Sequence, residues 1–134
     1  MKLGNSIVRS LLAVTGLVAA VACGPDYERT EISGVKQSPL GGDVTNRHVS
    51  VPEGMIVKAN IVPFNDDQEK MHGHVFSQDP SVIEVIPVVN DRDFAFIGKK
   101  PGRTTITFQA DDESVFVVQA EVLEQPEPPE PSAP

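Results

Sequence analysis

Apolar residues recur with a period of two along most of the chain between Thr30 and Glu124. In the segment MIVKANIV, one face is apolar, with Met55, Val57, Ala59 and Ile61, and the other is mixed, with Ile56, Lys58, Asn60 and Val62. Successive side chains of a strand point to opposite faces, so this rhythm predicts strands with one buried face. Gly, Pro, Asn and Asp clusters interrupt the pattern about every eight to twelve residues, a spacing typical of an all-β sandwich or barrel.

The pattern predicts about seven to eight antiparallel strands and no long helix after residue 22. In the last two predicted strands, one face carries Ile106 and Phe108, and the other strand places Phe116, Val118 and Ala120 together. These residues are the expected core. The predicted strands cover residues 30–37, 47–51, 55–62, 71–77, 82–86, 93–98, 103–110 and 114–123.

The start of the chain has a different pattern. Lys2 and Arg9 precede an uncharged, apolar run over residues 11–22. This run is shorter than the roughly 20 residues that a helix needs to cross a bilayer, so residues 1–22 are predicted to be a signal peptide.

The only cysteine follows this run directly. The segment Ala20-Val21-Ala22-Cys23 resembles the lipobox of bacterial lipoproteins. That resemblance implies a diacylglyceryl group on Cys23, cleavage before it and acylation of the new amino terminus. Two or three acyl chains hold a protein firmly to a membrane. Because Gly24 follows instead of Asp, the resemblance favours the outer membrane. The alternative is an ordinary secretory signal, cut after Ala20 or Ala22, which would leave a free thiol.

Composition narrows the functional classes. The chain has 19 acidic and 11 basic residues and a net charge of −8, and its basic residues are scattered, which disfavours a nucleic-acid partner. One cysteine permits no intramolecular disulfide. No nucleophile, metalloprotease or phosphate-loop motif occurs, so we expect no enzyme activity, no cofactor and no small-molecule substrate.

The positions of proline and charged residues divide the chain after residue 22 into a tether, a folded domain and a tail. Residues 23–31 are predicted to be a lipidated tether and residues 32–124 the β-sandwich, with an extra edge strand contributed by residues 30–42. Residues 125–134, QPEPPEPSAP, hold five prolines and two glutamates. Proline fixes φ and lacks an amide donor, so this tail is predicted to be disordered and polyproline-like.

Two motifs carry a family resemblance. They are SQDPSVIEV at 77–85 and FIGKKPGRTTITFQA at 96–110, preceded by VSVPEGMIVKANIVP at 49–63. Residues 44–123 thereby resemble a bacterial immunoglobulin-like domain of group 2, the invasin/intimin-like type. The resemblance implies an immunoglobulin-like β-sandwich. It also places Phe76 where the family has a core tryptophan.

The segment NDDQEKMHGH combines acidic residues with a His-x-His pair. Residues two apart in a strand share a face, so His72 and His74 could bind one metal ion, completed by Asp66, Asp67 or Glu69. Imidazole and carboxylate ligands suit zinc, copper or nickel. The alternative is a solvated strand face that follows an acidic loop.

The other acidic clusters, Asp91-Asp93 and Asp111-Asp112-Glu113, are predicted to be turns, because short acidic side chains bond their own backbone. Together these features predict a non-catalytic lipoprotein of the bacterial cell envelope. The membrane is its partner through the lipid, and a protein of the envelope or surface is the expected second partner. The alternative function is a metal-binding lipoprotein that uses His72 and His74.

Overall fold

The computed structural model describes residues 26–126, which form nine β-strands. Their alternating burial reproduces the period of two in the sequence. The strands are β1 (Tyr27–Lys36), β2 (Asp43–Val44), β3 (His48–Pro52), β4 (Ile56–Asn65), β5 (Gly73–Ser77), β6 (Ile83–Pro87), β7 (Asp93–Gly98), β8 (Gly102–Ala110) and β9 (Glu113–Leu123).

The strands form two sheets. One has four strands in the order β1-β4-β7-β6, and the other has five in the order β2-β3-β9-β8-β5. Every pair is antiparallel except β3 and β9, which run parallel. The predicted all-β sandwich is confirmed. The sequence pattern missed the two-residue strand β2, and its expectation of antiparallel strands is wrong for the pairing of β3 with β9.

Both sheets supply the core between them. Phe96 of β7 and Phe108 of β8 are its largest fully buried side chains, one from each sheet. The expected core positions Ile106, Val118 and Ala120 are also buried. The buried apolar cluster comprises Val44, Val49, Val51, Val57, Ala59, Ile61, Val75, Val82, Ile83, Phe94, Phe96, Ile106, Phe108, Val118, Ala120 and Val122.

The placement of Phe76 corrects one expectation. Its side chain is 41% exposed on the outside of β5, while its neighbour Val75 is buried. The strand alternates, so only one of these two side chains can reach the core, and the register with β8 chooses Val75. Phe76 therefore does not fill the core in place of the tryptophan of the resembled family.

Both acidic clusters lie at turns as predicted, but the side chains of Asp91, Asp93 and Asp111 bond to His72 and Asn60 instead of to their own backbone. Asp111 and Asp112 join β8 to β9 with φ of 48° and 70°. A two-residue hairpin turn of type I′ needs positive φ at both positions, which aspartate tolerates. Before β7, the side chain of Asn90 accepts a 2.9 Å hydrogen bond from the amide of Arg92.

The first strand begins earlier than the sequence indicated. Strand β1 is the predicted extra edge strand, but it starts at Tyr27 and so includes residues 27–31, which were assigned to the tether. Within residues 26–126 there is no helix long and apolar enough to span a membrane. The signal peptide, Cys23 and residues 127–134 of the tail lie outside the described residues.

Candidate functional site

His72 lies directly before β5 and contacts a carboxylate that the sequence did not single out as its partner. Its Nδ1 lies 3.1 Å from Oδ2 of Asp91. Its amide donates to Oδ1 of Asp111 at 2.9 Å, and its carbonyl accepts from the Asp111 amide at 2.9 Å. His72 therefore ties the start of β5 to two turns at one end of the sandwich.

The other proposed ligands do not converge on it. His74 is exposed within β5, paired with Gln109. Asp66 and Asp67 lie in the turn after β4, where the amide of Asp67 donates to Asn65 Oδ1 at 2.9 Å. Between residues 26 and 126 the structure places no three His, Cys, Asp or Glu side chains where they could hold a metal ion. Metal binding by the His-x-His pair stays a prediction, testable by calorimetry with zinc and copper.

The loop between β5 and β6 contains a second polar cluster. Asp79 accepts hydrogen bonds from the Ser81 hydroxyl at 2.6 Å and from the Ser81 amide at 3.0 Å. These two bonds, with a smaller contribution from the charge of Lys100, hold the pKa of the Asp79 carboxyl below its usual value. The cluster closes the turn that follows β5.

The remaining histidine has a similar environment. His48 on β3 has its Nε2 3.8 Å from Oε1 of Glu121 on the outer face of the five-stranded sheet. Like His72, it faces a carboxylate. The arrangement is thus suited to holding strands and turns together.

A groove on the outer face of the four-stranded sheet is the feature that sequence analysis missed. The loop after β6 brings Val88 and Val89 over β7 towards β4 and the end of β1. The groove has a volume of about 220 Å³. It is lined by Gly34, Lys36, Lys58, Ala59, Asn60, Val88, Val89 and Asp93.

Two lysines give this groove its chemistry. Lys36 and Lys58 are register partners on β1 and β4, so their side chains stand next to each other. Asn60 Nδ2 donates to Asp93 Oδ1 at 3.0 Å, which engages the one carboxylate in the lining. Alternation of Lys58 with apolar residues in β4 was visible in the sequence, but its pairing with Lys36 depends on the strand register.

The fold is similar to that of solved domains of a surface-layer protein. Domains 4 and 5 of the S-layer protein SbsC align with a TM-score of 0.55 and 18% identity, over 75% of this chain and 54% of theirs. A structure of SbsC domains 1–6 aligns with a TM-score of 0.56 and 17% identity, over 78% of this chain and 14% of that one.

The chain thus spans about half of the first of these structures and a smaller part of the second. At this level of identity the similarity establishes the β-sandwich fold. No family model matches the sequence, and no curated protein matches it.

Proposed function

We propose that this protein is a non-catalytic module of the bacterial cell envelope, anchored to a membrane by lipid on Cys23. The observation that carries the proposal is the fold: a β-sandwich similar to domains of an S-layer protein. The described polar clusters around His72, Asp79 and His48 support it, because each joins strands or closes a turn. A domain of this kind acts by being positioned and contacted.

The start of β1 determines how close the sandwich would sit to the membrane. Tyr27 is the fourth residue after Cys23, and four extended residues reach at most about 14 Å. A lipid on Cys23 would therefore hold the sandwich directly above the lipid headgroups. Such a short tether favours partners that lie in or beside the same membrane.

Sheet edges offer one way to bind a protein partner. Strand β1 carries charged side chains and two irregularities in its register, and β2 has only two residues, so both edges are poor templates for another strand. Strands β5 and β6 are the other two edges, with five residues each. We propose β5 as the partner edge, because the exposed Phe76 adds apolar area to its backbone groups, whereas β6 ends at Pro87, which has no amide donor.

Fractionation of cells tests the anchor. The wild-type protein is expected in the membrane fraction, resistant to high salt and released by detergent. A Cys23→Ser variant is expected in the soluble fraction, because it has no thiol to acylate. Equal membrane retention of both proteins would contradict the lipid anchor. Circular dichroism of the variant checks that the sandwich is intact.

Isolation of the partner tests the edge. The protein is cross-linked in intact envelopes, solubilised in detergent and purified, and a stoichiometric envelope protein is expected. A Phe76→Lys variant should lose it, because an edge lysine opposes strand addition. Val117→Lys is the matched control: Val117 lies in the same cross-strand row as Phe76, but on the interior strand β9. Loss of the partner protein in both variants would assign the contact to the face of the five-stranded sheet instead of to its edge. If the wild-type protein co-purifies with no partner, the binding role is contradicted.

A further inference from the structure

The outer face of the four-stranded sheet is apolar over much of its width. Ile56 pairs with Ile97, and Ile86 pairs with Ala95 in the next row. Ile56 is 46% exposed, and Val89, beside the groove, is 76% exposed. A solvent-facing sheet surface normally carries polar side chains, so this face has the composition of a contact surface.

The same face carries a pair of lysines, while its carboxylates Glu84 and Asp93 are engaged by Lys99 and Asn60. Lys36 and Lys58 stand opposite each other, and like charges in this position are destabilising. Within residues 26–126, neither lysine forms an ion pair with an acidic side chain. In a chain with a net charge of −8, two adjacent lysines beside exposed isoleucines define a site for an acidic segment with apolar side chains.

The chain itself supplies such a segment. Residues 127–134, EPPEPSAP, contain Glu127 and Glu130 among four prolines. In a polyproline II conformation, with three residues per turn, side chains three apart project to the same side. The two glutamates would then face one surface together, and one adjacent edge of the threefold helix could bring proline rings to the same surface.

The described chain ends in the right place for this segment to reach the face. Gln125 Nε2 donates to the carbonyl of Glu53 at 2.7 Å, in the turn that leads into β4 at Ile56. From Ile56 to Asn60 the strand rises about 14 Å. Eight residues in polyproline II span about 25 Å, so the segment is long enough to cover the isoleucines and enter the groove.

We propose that residues 127–134 dock on the outer face of the four-stranded sheet, with prolines on Ile56 and Ile86 and the Glu127 and Glu130 carboxylates at Lys58 and Lys36. This inference goes beyond the proposed function and does not require the lipid anchor.

Zero-length carbodiimide cross-linking of the full-length protein in detergent tests the docking. The reagent joins a carboxylate to a lysine amine only where they touch. The ion pair between Lys99 Nζ and Glu84 Oε2, at 2.8 Å, provides an internal positive control. Mass spectrometry is expected to find Glu127 or Glu130 joined to Lys36 or Lys58, with a yield that falls as salt is raised.

Lysine variants and isotope mixing show whether the tail cross-links form at the proposed site and within one molecule. The double variant Lys36→Gln, Lys58→Gln should reduce cross-linking of the tail at least about tenfold, whereas Lys70→Gln, on a different loop, should leave it unchanged. Protein of two isotopic labels is mixed before reaction. Cross-links within one molecule support the proposal. Cross-links only between differently labelled copies would assign the face to a second copy, and absence of tail cross-links while Lys99 and Glu84 react would also overturn it.

The result is separable from the anchor. The Cys23→Ser variant should give the same tail cross-links as the wild type. If neither the wild type nor the Cys23→Ser variant gives tail cross-links, the docking proposal fails while the lipid proposal stands. If the variant keeps its cross-links and also stays in the membrane fraction, the anchor fails and the docking stands.

Discussion

The two sheets differ on their outer faces far more than on their inner ones. Inside, both present Val, Ile, Phe and Ala to one shared core. Outside, the five-stranded sheet carries mainly polar side chains, such as Thr105 and Gln119, around the exposed Phe76 and Val117. The four-stranded sheet also exposes apolar side chains, Ile56 and Ile86, but there they lie beside two paired lysines. Folding requires the inner pattern only, so an outer face that departs from a polar composition indicates contact with something else.

The first prediction tests whether the two sheets depend equally on the core. Phe96→Ala removes a buried ring from the four-stranded sheet, and Phe108→Ala removes one from the five-stranded sheet. Each is expected to lower the free energy of unfolding by about 3–5 kcal/mol, because each leaves a cavity. Denaturant unfolding measures both values. A loss below about 1 kcal/mol for either variant would show that the two sheets do not share one core.

The second prediction concerns a close contact between the sheets. Gly41 and Gly42 both have positive φ, of 98° and 106°. A Cβ on Gly42 would lie 2.5 Å from Cγ2 of the buried Val57, whereas a Cβ on Gly41 would meet nothing within 4 Å. Alanine at either position pays a similar backbone cost. Gly42→Ala should therefore cost about 1–3 kcal/mol more than Gly41→Ala in denaturant unfolding. Equal losses would show that the contact relaxes freely.

The third prediction compares the outer faces directly. Ile86→Thr and Val117→Thr each introduce a hydroxyl in place of apolar atoms on an exposed side chain, on opposite sheets. Both should change the free energy of unfolding by less than about 1 kcal/mol, because surface positions contribute little. Only Ile86→Thr should reduce the carbodiimide cross-links from Glu127 and Glu130. A similar reduction by Val117→Thr would contradict the proposal, because it would place the tail on the five-stranded sheet.

The fourth prediction has the smallest effect and concerns the turn between the two sheets' edge strands β5 and β6. Ser81→Ala removes the hydroxyl that stabilises the Asp79 carboxylate, so the pKa of Asp79 should rise towards its usual value of 3.8. Because the folded pKa is depressed, the stabilisation is present above the unfolded pKa and is lost as pH falls through the folded one. A carbon-detected NMR titration of Asp79 measures this. An unchanged midpoint would contradict the role of the hydroxyl.

Much of the fold was predictable because strand period is a local property. Eight of the nine strands follow from alternation and turn residues, and the Asp111-Asp112 turn follows from the backbone preferences of aspartate. Strand β2 has only two residues, too few to show a period. The face of Phe76 was predicted wrongly, because a single alternation does not say which side is inside.

The sites were less predictable because they join distant parts of the chain. His72 contacts Asp91, 19 residues away, instead of the nearer acidic residues of its own segment. The pairing of Lys36 with Lys58 depends on a register shift after Ser33. Neither the shift nor the loop that brings Val88 and Val89 over the sheet has a local sequence signature.

The mass of the amino-terminal peptide of the native protein, purified from membranes, tests the central claim most directly. The account predicts that this peptide begins at Cys23 and carries the added mass of a diacylglyceryl group together with an amide-linked acyl chain. A peptide that begins at another residue, or one that contains Cys23 with an unmodified thiol, would contradict it.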